Sequence, residues 1–291
     1  MNKSLPENHP SLATSYNNMG NVYFSIGEYS QSLEYYEKGH EIFVKSFPVN
    51  HPYIAVSYTN MGNVYSNMGE YSKALECLET SVKIMKTSLG LDHPSFVSTY
   101  SWIGRTYRSM KDYVRSLSYF EKALEICKIS LPETHPSLAI TYSNIGDVKR
   151  SMGDYPNGLM YLRKAVEMQE NVSYYSISLG WTYSYMGELY REKKDYVKAV
   201  KYYVHAKEIG EKKLDGEHKY MCAINYNLGK LYDEMNEFEM AYISVLRAVE
   251  VGEERLGVQH VDVLEYKKTL MEIELRKRMT RVENENCGYK S

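Results

Sequence analysis

One interval governs this 291-residue chain. Glycines stand at Gly20, Gly62, Gly104, Gly146, Gly187 and Gly229, in steps of 42, 42, 42, 41 and 42. Other positions keep the same phase. Three residues after the glycine come Tyr23, Tyr65, Tyr107, Lys149, Tyr190 and Tyr232. Four before it come Tyr16, Tyr58, Tyr100, Tyr142, Tyr183 and Asn225. Small residues recur at Ser32, Ala74, Ser116, Gly158, Ala199 and Ala241, and again at Gly39, Ser81, Ala123, Ala165, Ala206 and Ala248. Length alone suggests about two domains. A sustained period overrides that prior, because it means one supersecondary unit built six times and stacked.

Each unit reads as two helices. In the first unit one helix runs from about Ser11 to Ser25, and its buried set lies at −8, −4, −1, 0 and +3 from the glycine, which is helical spacing. The second runs from near Tyr29 to near Phe47 and carries Leu33, Tyr36 and Ile42 on one face. Small residues belong where the two backbones approach closely. No stretch alternates with period 2 over a useful length, so strands are not expected. The expected fold class is all-α: a right-handed α-solenoid of six helical pairs plus a C-terminal capping helix.

The glycine-plus-small-residue spacing resembles the tetratricopeptide repeat. The stretch "LGLDHPSFVSTYSWIGRTYRSMKDYVRSLSYFEKALEI" is similar to the 42-residue repeats of kinesin light chains and related adaptors. The resemblance covers about residues 8–258. It implies a superhelix whose first helices line a concave face that grips extended peptides. The chain departs from kinesin light chain in two ways. No heptad segment for the motor heavy chain is present, and the family's Asn-Asn-Leu-Ala core reads Asn-Asn-Met-Gly at 17–20 and Ser-Trp-Ile-Gly at 101–104. Motor attachment is therefore not implied.

Four His-Pro pairs, at residues 9, 51, 93 and 135, stand just before a first helix. Proline suits the first helical turn, where its missing N–H costs nothing. The residue before it is pushed out of the α region and ends the loop. His218 and His260 hold the same place without the proline, while His40 and His205 fall on second helices with no evident partner. Histidines about one repeat, on the order of 10 Å, apart cannot share a metal that needs bonds of ~2 Å. They are read as joint markers.

The boundaries follow from the phase. Residues 1–10 are a leader, since "SLPENHP" nearly repeats the end of a second helix and its loop, "SLPETHP" at 130–136. Six units follow at about 11–50, 51–92, 93–134, 135–175, 176–217 and 218–259. A capping helix is expected at 260–282, with Val261, Leu264, Met271 and Leu275 buried and "EIELRKRMTR" making the far side polar. Its basic run would then sit near the helix C-terminus, where it complements the dipole. Residues 283–291 read as a loose tail. The first unit lacks a preceding neighbour, so the chain is either part of a longer array or stacks on something through that uncapped end.

The helical positions left free by the buried set are −6, −3, −2, +1, +4 and +5. Asn recurs at −2 as Asn18, Asn60, Asn144 and Asn227, and at +1 as Asn21 and Asn63. Asn is a mediocre helix former, but its carboxamide donates and accepts, which suits the backbone of an extended peptide. Arg105, Arg108 and Arg150 cluster in units three and four, opposed by Asp147, with Trp102 beside them. Guanidinium forks pair with carboxylates, so this part suits a peptide with acidic residues and an apolar anchor. Tyr185 and Arg191 continue the stripe among Glu188, Glu192, Lys230, Asp233 and Glu234. The stripe thus grades from amide to basic to acidic, a pattern that can fix a guest's direction.

Other classes find little support. The net charge of −2 gives no electrostatic case for nucleic acid, and no apolar run is long enough to span a bilayer. The N-terminus carries no apolar signal segment. Four cysteines without a close pair suit a reducing cytosol, so a cytoplasmic location is expected. No phosphate loop, metal cluster or nucleophile–base pair stands out; no enzyme activity and no cofactor are expected. The expected role is a non-catalytic scaffold or adaptor for a protein or peptide partner. The alternative is the recognition or autoinhibitory region of a larger enzyme or signalling protein.

Overall fold

The structure, a computed structural model, describes residues 9–170, 177–213 and 219–288; side chains are described for all of these except 219 and 281–288. The described residues are helical and contain no strand. The order is α1 (Pro10–Ile26), α2 (Tyr29–Ser46), α3 (Pro52–Asn67), α4 (Tyr71–Ser88), α5 (Ser95–Ser109), α6 (Tyr113–Ser130), α7 (Pro136–Ser151), α8 (Tyr155–Glu170), α9 (Ile177–Glu192), α10 (Tyr196–Lys213), α11 (Lys219–Glu234), α12 (Phe238–Leu256) and α13 (Val261–Gly288). The chain forms two compact units, residues 1–164 and 165–291. In the first, α1/α2, α3/α4 and α5/α6 are hairpins that stack in order, followed by α7. In the second, α9/α10 and α11/α12 are hairpins and α13 closes on α12. His218 lies outside the described residues.

The repeating glycine is where the two helices of a hairpin touch. A methyl group at Gly62 would lie 2.7 Å from Leu78 Cγ and 3.1 Å from the Ala74 carbonyl of α4. The small residues twelve positions on are buried on the same contact, and Ser32 and Ser116 donate their hydroxyls to the carbonyls of Gly20 and Gly104, at 2.9 and 2.8 Å. Between hairpins, α2 and α3 bury Ile42, Phe43 and Ile54 together, and Tyr36 packs with Met61 and Val64.

The tyrosine surplus serves packing within hairpins. A second-helix tyrosine is held between two first-helix tyrosines in three of them. Tyr35 stacks on Tyr23 at 5.1 Å and tilts against Tyr16 at 6.1 Å. Tyr119 does the same with Tyr107 and Tyr100, and Tyr202 with Tyr190 and Tyr183.

The described joints are built by caps. The histidines do more than end a loop: their ring Nδ1 accepts the N–H two residues on, at 3.1 Å for His9 and Ser11 and 3.2 Å for His51 and Tyr53. His93, His135 and His260 do likewise at 3.2 Å. The acceptor role requires the ring proton on Nε2. Each cap satisfies one of the orphan donors of the helix start. His40 also has a partner after all: its Nδ1 lies 2.7 Å from the Ser57 hydroxyl, and burial lowers its pKa. The His205 ring meets Tyr183 edge-on.

The turn inside four of the hairpins carries a lock; the first and last, with Gln31 and Met240 at the cation position, do not. Asp112 accepts the Arg115 N–H at 3.0 Å and binds its guanidinium at 2.6 Å, while that guanidinium lies 4.5 Å over the Tyr107 ring. Glu70–Lys73–Tyr65 and Asp195–Lys198–Tyr190 repeat the ion-pair and ring contacts. In the fourth repeat Lys149 replaces the tyrosine and Asn157 replaces the cation. Lys149 then reaches Asp154 at 3.8 Å, and the Asn157 amide donates to both Asp154 oxygens at 3.0 and 2.9 Å.

Two expectations about the C-terminal helix are corrected. Val261, Leu264, Met271 and Leu275 are exposed; the buried face is Val263, Tyr266 and Ile273, with Leu270 partly covered. The expected stripe is the face that a first helix turns towards its own second helix, and none packs there among the described residues. The buried face is the one turned towards the preceding hairpin. The helix also continues to Gly288, so residues 283–288 are not a loose tail. The basic run is therefore mid-helix, and its charges pair with Glu239, Asp233 and Glu274 rather than cap a terminus.

Two substitutions test these joints. Gly62→Ala should destabilise the chain by about 1–3 kcal/mol, because the new methyl meets backbone as well as a side chain. Lys194, like Lys111 and Asn236, takes the left-handed conformation that glycine holds at Gly27, Gly69 and Gly153, with φ 60°. Relief of the side-chain clash there, about 1–2 kcal/mol, exceeds the entropic cost of glycine, about 0.5–1 kcal/mol. Lys194→Gly should therefore raise the urea midpoint, and a lowered midpoint would contradict the account.

Candidate peptide groove

Contacts between alternate helices fall on the first helices of the hairpins. In the first unit α3 meets α5 and α5 meets α7; in the second α9 meets α11. Crowding of these helices is what curvature towards them produces. The first helices therefore line the inner side of each unit, and the question becomes which side chains remain available there.

The expected inner stripe divides into three classes. Four of the −3 positions are not available: Thr59, Ser143, Ser184 and Tyr226 are buried between helices, while Asn17 and Ser101 are half-buried. The Thr59 hydroxyl lies 2.8 Å from Ser81 and 2.9 Å from Thr99. At +4 the side chains reach the next first helix instead of solvent. The Thr106 hydroxyl donates to Ser66 at 3.0 Å, Arg108 pairs with Asp147, Arg191 with Glu234, and Asp233 with Arg276 at 2.5 Å.

The −2 positions stay accessible, and so do the +1 positions apart from Asp147, which is buried. Asn18 and Asn21 are exposed; Asn60, Asn63, Asn144, Tyr185 and Asn227 are half-buried. No carboxamide of Asn18, Asn60, Asn144 or Asn227 has a hydrogen-bond partner among the described residues. Asn21 Oδ1 accepts from the Tyr36 hydroxyl at 2.7 Å, and Asn63 Oδ1 accepts from Asn67 at 3.1 Å. These two amides are thus partly committed.

The basic cluster is differently arranged from the expectation. Asp147 is 1% exposed, and it holds both Arg108 and Arg150, the latter through Nε at 3.0 Å and Nη2 at 2.8 Å. A carboxylate buried at this level needs such partners. Arg108 therefore joins α5 to α7 while Arg150 holds the same carboxylate from within α7, and Arg105 is the exposed member of the trio. Its guanidinium lies 4.6 Å over the Trp102 ring. Trp102 itself is half-buried and meets Phe24 of α1 edge-on at 6.4 Å. This contact skips one hairpin and joins α1 to α5, the first helices on either side of α3 in the stack.

In the second unit the inner face is acidic and paired. Glu188 accepts from the Tyr203 hydroxyl and binds Arg191 at 2.6 Å; Arg191 continues to Glu234. Burial pushes the Glu188 carboxyl up, but Lys230, Arg191 and Tyr203 outweigh it and hold the pKa at about 2. Beyond it the Tyr226 hydroxyl donates to Glu265 at 2.7 Å. The cross-links at +4 were missed as links because each partner alone looks like a surface charge. Their signal is an opposite charge about one period away, as with Arg191 and Glu234 or Asp233 and Arg276.

The depressed Glu188 carboxyl has a pH consequence. A carboxyl held below its ordinary value of 4.5 stabilises the fold above that value, and the contribution is lost as pH falls from about 4.5 towards about 2. Glu188→Gln should cost about 2 kcal/mol at neutral pH. The gap between wild type and variant in chemical denaturation should close across that acid window; a constant gap would refute the assignment.

A family model described as Tetratricopeptide repeat matches residues 11–87, 95–171 and 178–254. Among solved structures, a Rap protein complexed with Competence and Sporulation Factor superposes with a TM-score of 0.66 at 16% identity, over 91% of this chain and 75% of that one. The apo form of RapI gives 0.59 at 17% identity, over 92% and 99%. A crystal structure of a Podosopora anserina putative kinesin light chain, with nearly identical TPR-like repeats, gives 0.56 at 20% identity, over 70% and 97%. At these identities the likeness is one of fold. No curated protein matches the sequence. Among the described residues no helix is long and apolar enough to cross a membrane.

Proposed function

We propose that this chain, which belongs to the tetratricopeptide repeat family, is a non-catalytic scaffold that holds an extended peptide along the inner face of its first helices. The observation that carries this is the row of unpartnered carboxamides at −2. Asn18, Asn60 and Asn144 lie in one unit, each on a first helix, each with its donors and acceptor unused by the described residues. Half-buried amides without partners cost free energy unless something supplies hydrogen bonds. A peptide main chain offers both a donor and an acceptor at every residue. The Trp102–Arg105 stack borders the same face and suits an apolar or acidic side chain of the guest. The Rap protein solved with Competence and Sporulation Factor supports the reading only in that a stack of similar fold there accompanies a second molecule.

The test begins with peptides selected from a random display library on the wild-type chain. Asn60→Ala, Asn144→Ala and Arg105→Glu together should weaken the selected peptides by tenfold or more, since each lost hydrogen bond is worth about 1 kcal/mol. Circular dichroism should report unchanged helicity. Selected peptides that bind wild type and variant equally would end the proposal.

A further inference from the structure

The amide row marks a path for a guest main chain; the residues on either side of it constrain what that guest carries. On each first helix of the first unit, positions −6, −2 and +1 share one face, because they lie four and three residues apart. At −6 the hairpins alternate. α1 and α5 place Thr14 and Ser98 there, whose hydroxyls donate to the Pro10 and Ser95 carbonyls at 3.3 and 3.1 Å. α3 and α7 instead place Val56 and Ile140, 40% and 39% exposed. β-branched side chains lower helix propensity, so the helix itself gives no reason for them on an exposed face.

On these two helices the apolar residue and the accessible amide come together. Asn60 and Asn144 stand four residues beyond Val56 and Ile140. Between them in the stack, α5 carries Trp102 at −2 and the exposed Arg105 at +1, its guanidinium 4.6 Å over the indole. Val56 and Ile140 thus flank the row on one side. Arg105 flanks it on the other, one hairpin from each. Asp147, the counterpart of Arg105 in α7, is buried and held by Arg108 and Arg150. A guest carboxylate beside Arg105 therefore meets a cation.

The spacing of these three side chains fixes a register. Successive hairpins lie on the order of 10 Å apart, and an extended chain advances about 3.3 Å per residue. About three guest residues therefore span one hairpin, and about six span two. Side chains alternate along an extended chain. Guest positions six apart point the same way, towards Val56 and Ile140. The position midway between them points the opposite way, towards Arg105. Residues six apart also turn their main-chain groups to the same edge, so Asn60 and Asn144 meet the guest in the same phase.

We propose that the inner face of the first unit recognises a peptide of the pattern apolar–x–x–acidic–x–x–apolar, with Val56 and Ile140 receiving the two apolar side chains and Arg105 the carboxylate between them. This inference rests on the peptide reading above and adds to it the guest's side chains and their spacing.

The probes are the peptides selected from a random display library on the wild-type chain. Aligned with one another, they should show this pattern. In fluorescence anisotropy, Val56→Ser with Ile140→Ser should weaken them by about tenfold or more, through lost apolar burial. Serine already stands at this place in α5, so helicity should hold. One residue inserted into the peptide between its acidic and second apolar positions should weaken it by a similar factor, because the insertion turns that side chain to the opposite side. Arg105→Glu should lose the selected peptides and bind versions with lysine at the acidic position. If the serine pair lowers helicity, the inserted peptide, which leaves the chain unaltered, decides. Peptides that need Asn60 and Asn144 but lack this spacing, tolerate the insertion, or bind a folded serine pair as tightly as wild type, would overturn this inference and leave the peptide reading standing. Peptides indifferent to the amides, or no selected peptide at all, would overturn both.

Discussion

One close approach governs the rest: the backbone of each first helix lies directly against a large side chain of its second helix. An added methyl would stand 2.7 Å from Leu78 at Gly62, 3.0 Å from the Phe120 ring at Gly104 and 2.9 Å from the Tyr203 ring at Gly187. Interaxial distance depends on the side chains at the crossing, so glycine on one side lets a large residue on the other fill the gap without forcing the helices apart. That single geometry places the tyrosines of the first helix around the tyrosine of the second. It also aims −1 and +2 at the preceding hairpin, and leaves −2 and +1 on the inner face. A repeat with a bulkier residue at this point would shift each of these faces together.

Much of this was legible in the sequence, because a contact that recurs every 42 residues must leave the same residue type behind each time. Helix boundaries, the hairpin order and the small-residue contacts follow from that phase. What was not legible has identifiable causes. Burial of the −3 side chains depends on how closely neighbouring first helices approach, and that curvature is a property of the stack, not of one helix. The histidine caps depend on a ring nitrogen finding an N–H two residues ahead, which a loop assignment does not reveal. In α13 the sequence phase continued unchanged, so Met271 took the glycine position and was read as buried. With no second helix packed on it among the described residues, it faces outward.

The charges teach a related lesson. Arg108, Arg150 and Arg191 were read as ligand-binding because they project from the inner face of first helices. Arg108 and Arg191 instead tie their helices to the next, through Asp147 and Glu234, and Arg150 pairs with Asp147 within α7. A buried carboxylate such as Asp147 is stable only with its cations in place. The proposed groove therefore offers amides, Arg105 and aromatic surface, while Arg108 and Arg191 are taken up in pairs between neighbouring first helices.

The turn lock of the fourth repeat has a consequence for how such a chain can change. Its cation sits at Lys149, where the other locks have tyrosine, and Asn157 stands where they have lysine or arginine. The same carboxylate, Asp154, is served from the opposite side. Neither exchange is neutral alone: tyrosine with asparagine leaves the acid without a cation, and lysine with a second cation sets two like charges on it. Within the four locked turns the two sites are therefore exchangeable only as a matched pair, whereas the first and last hairpins, with Gln31 and Met240, do without a lock.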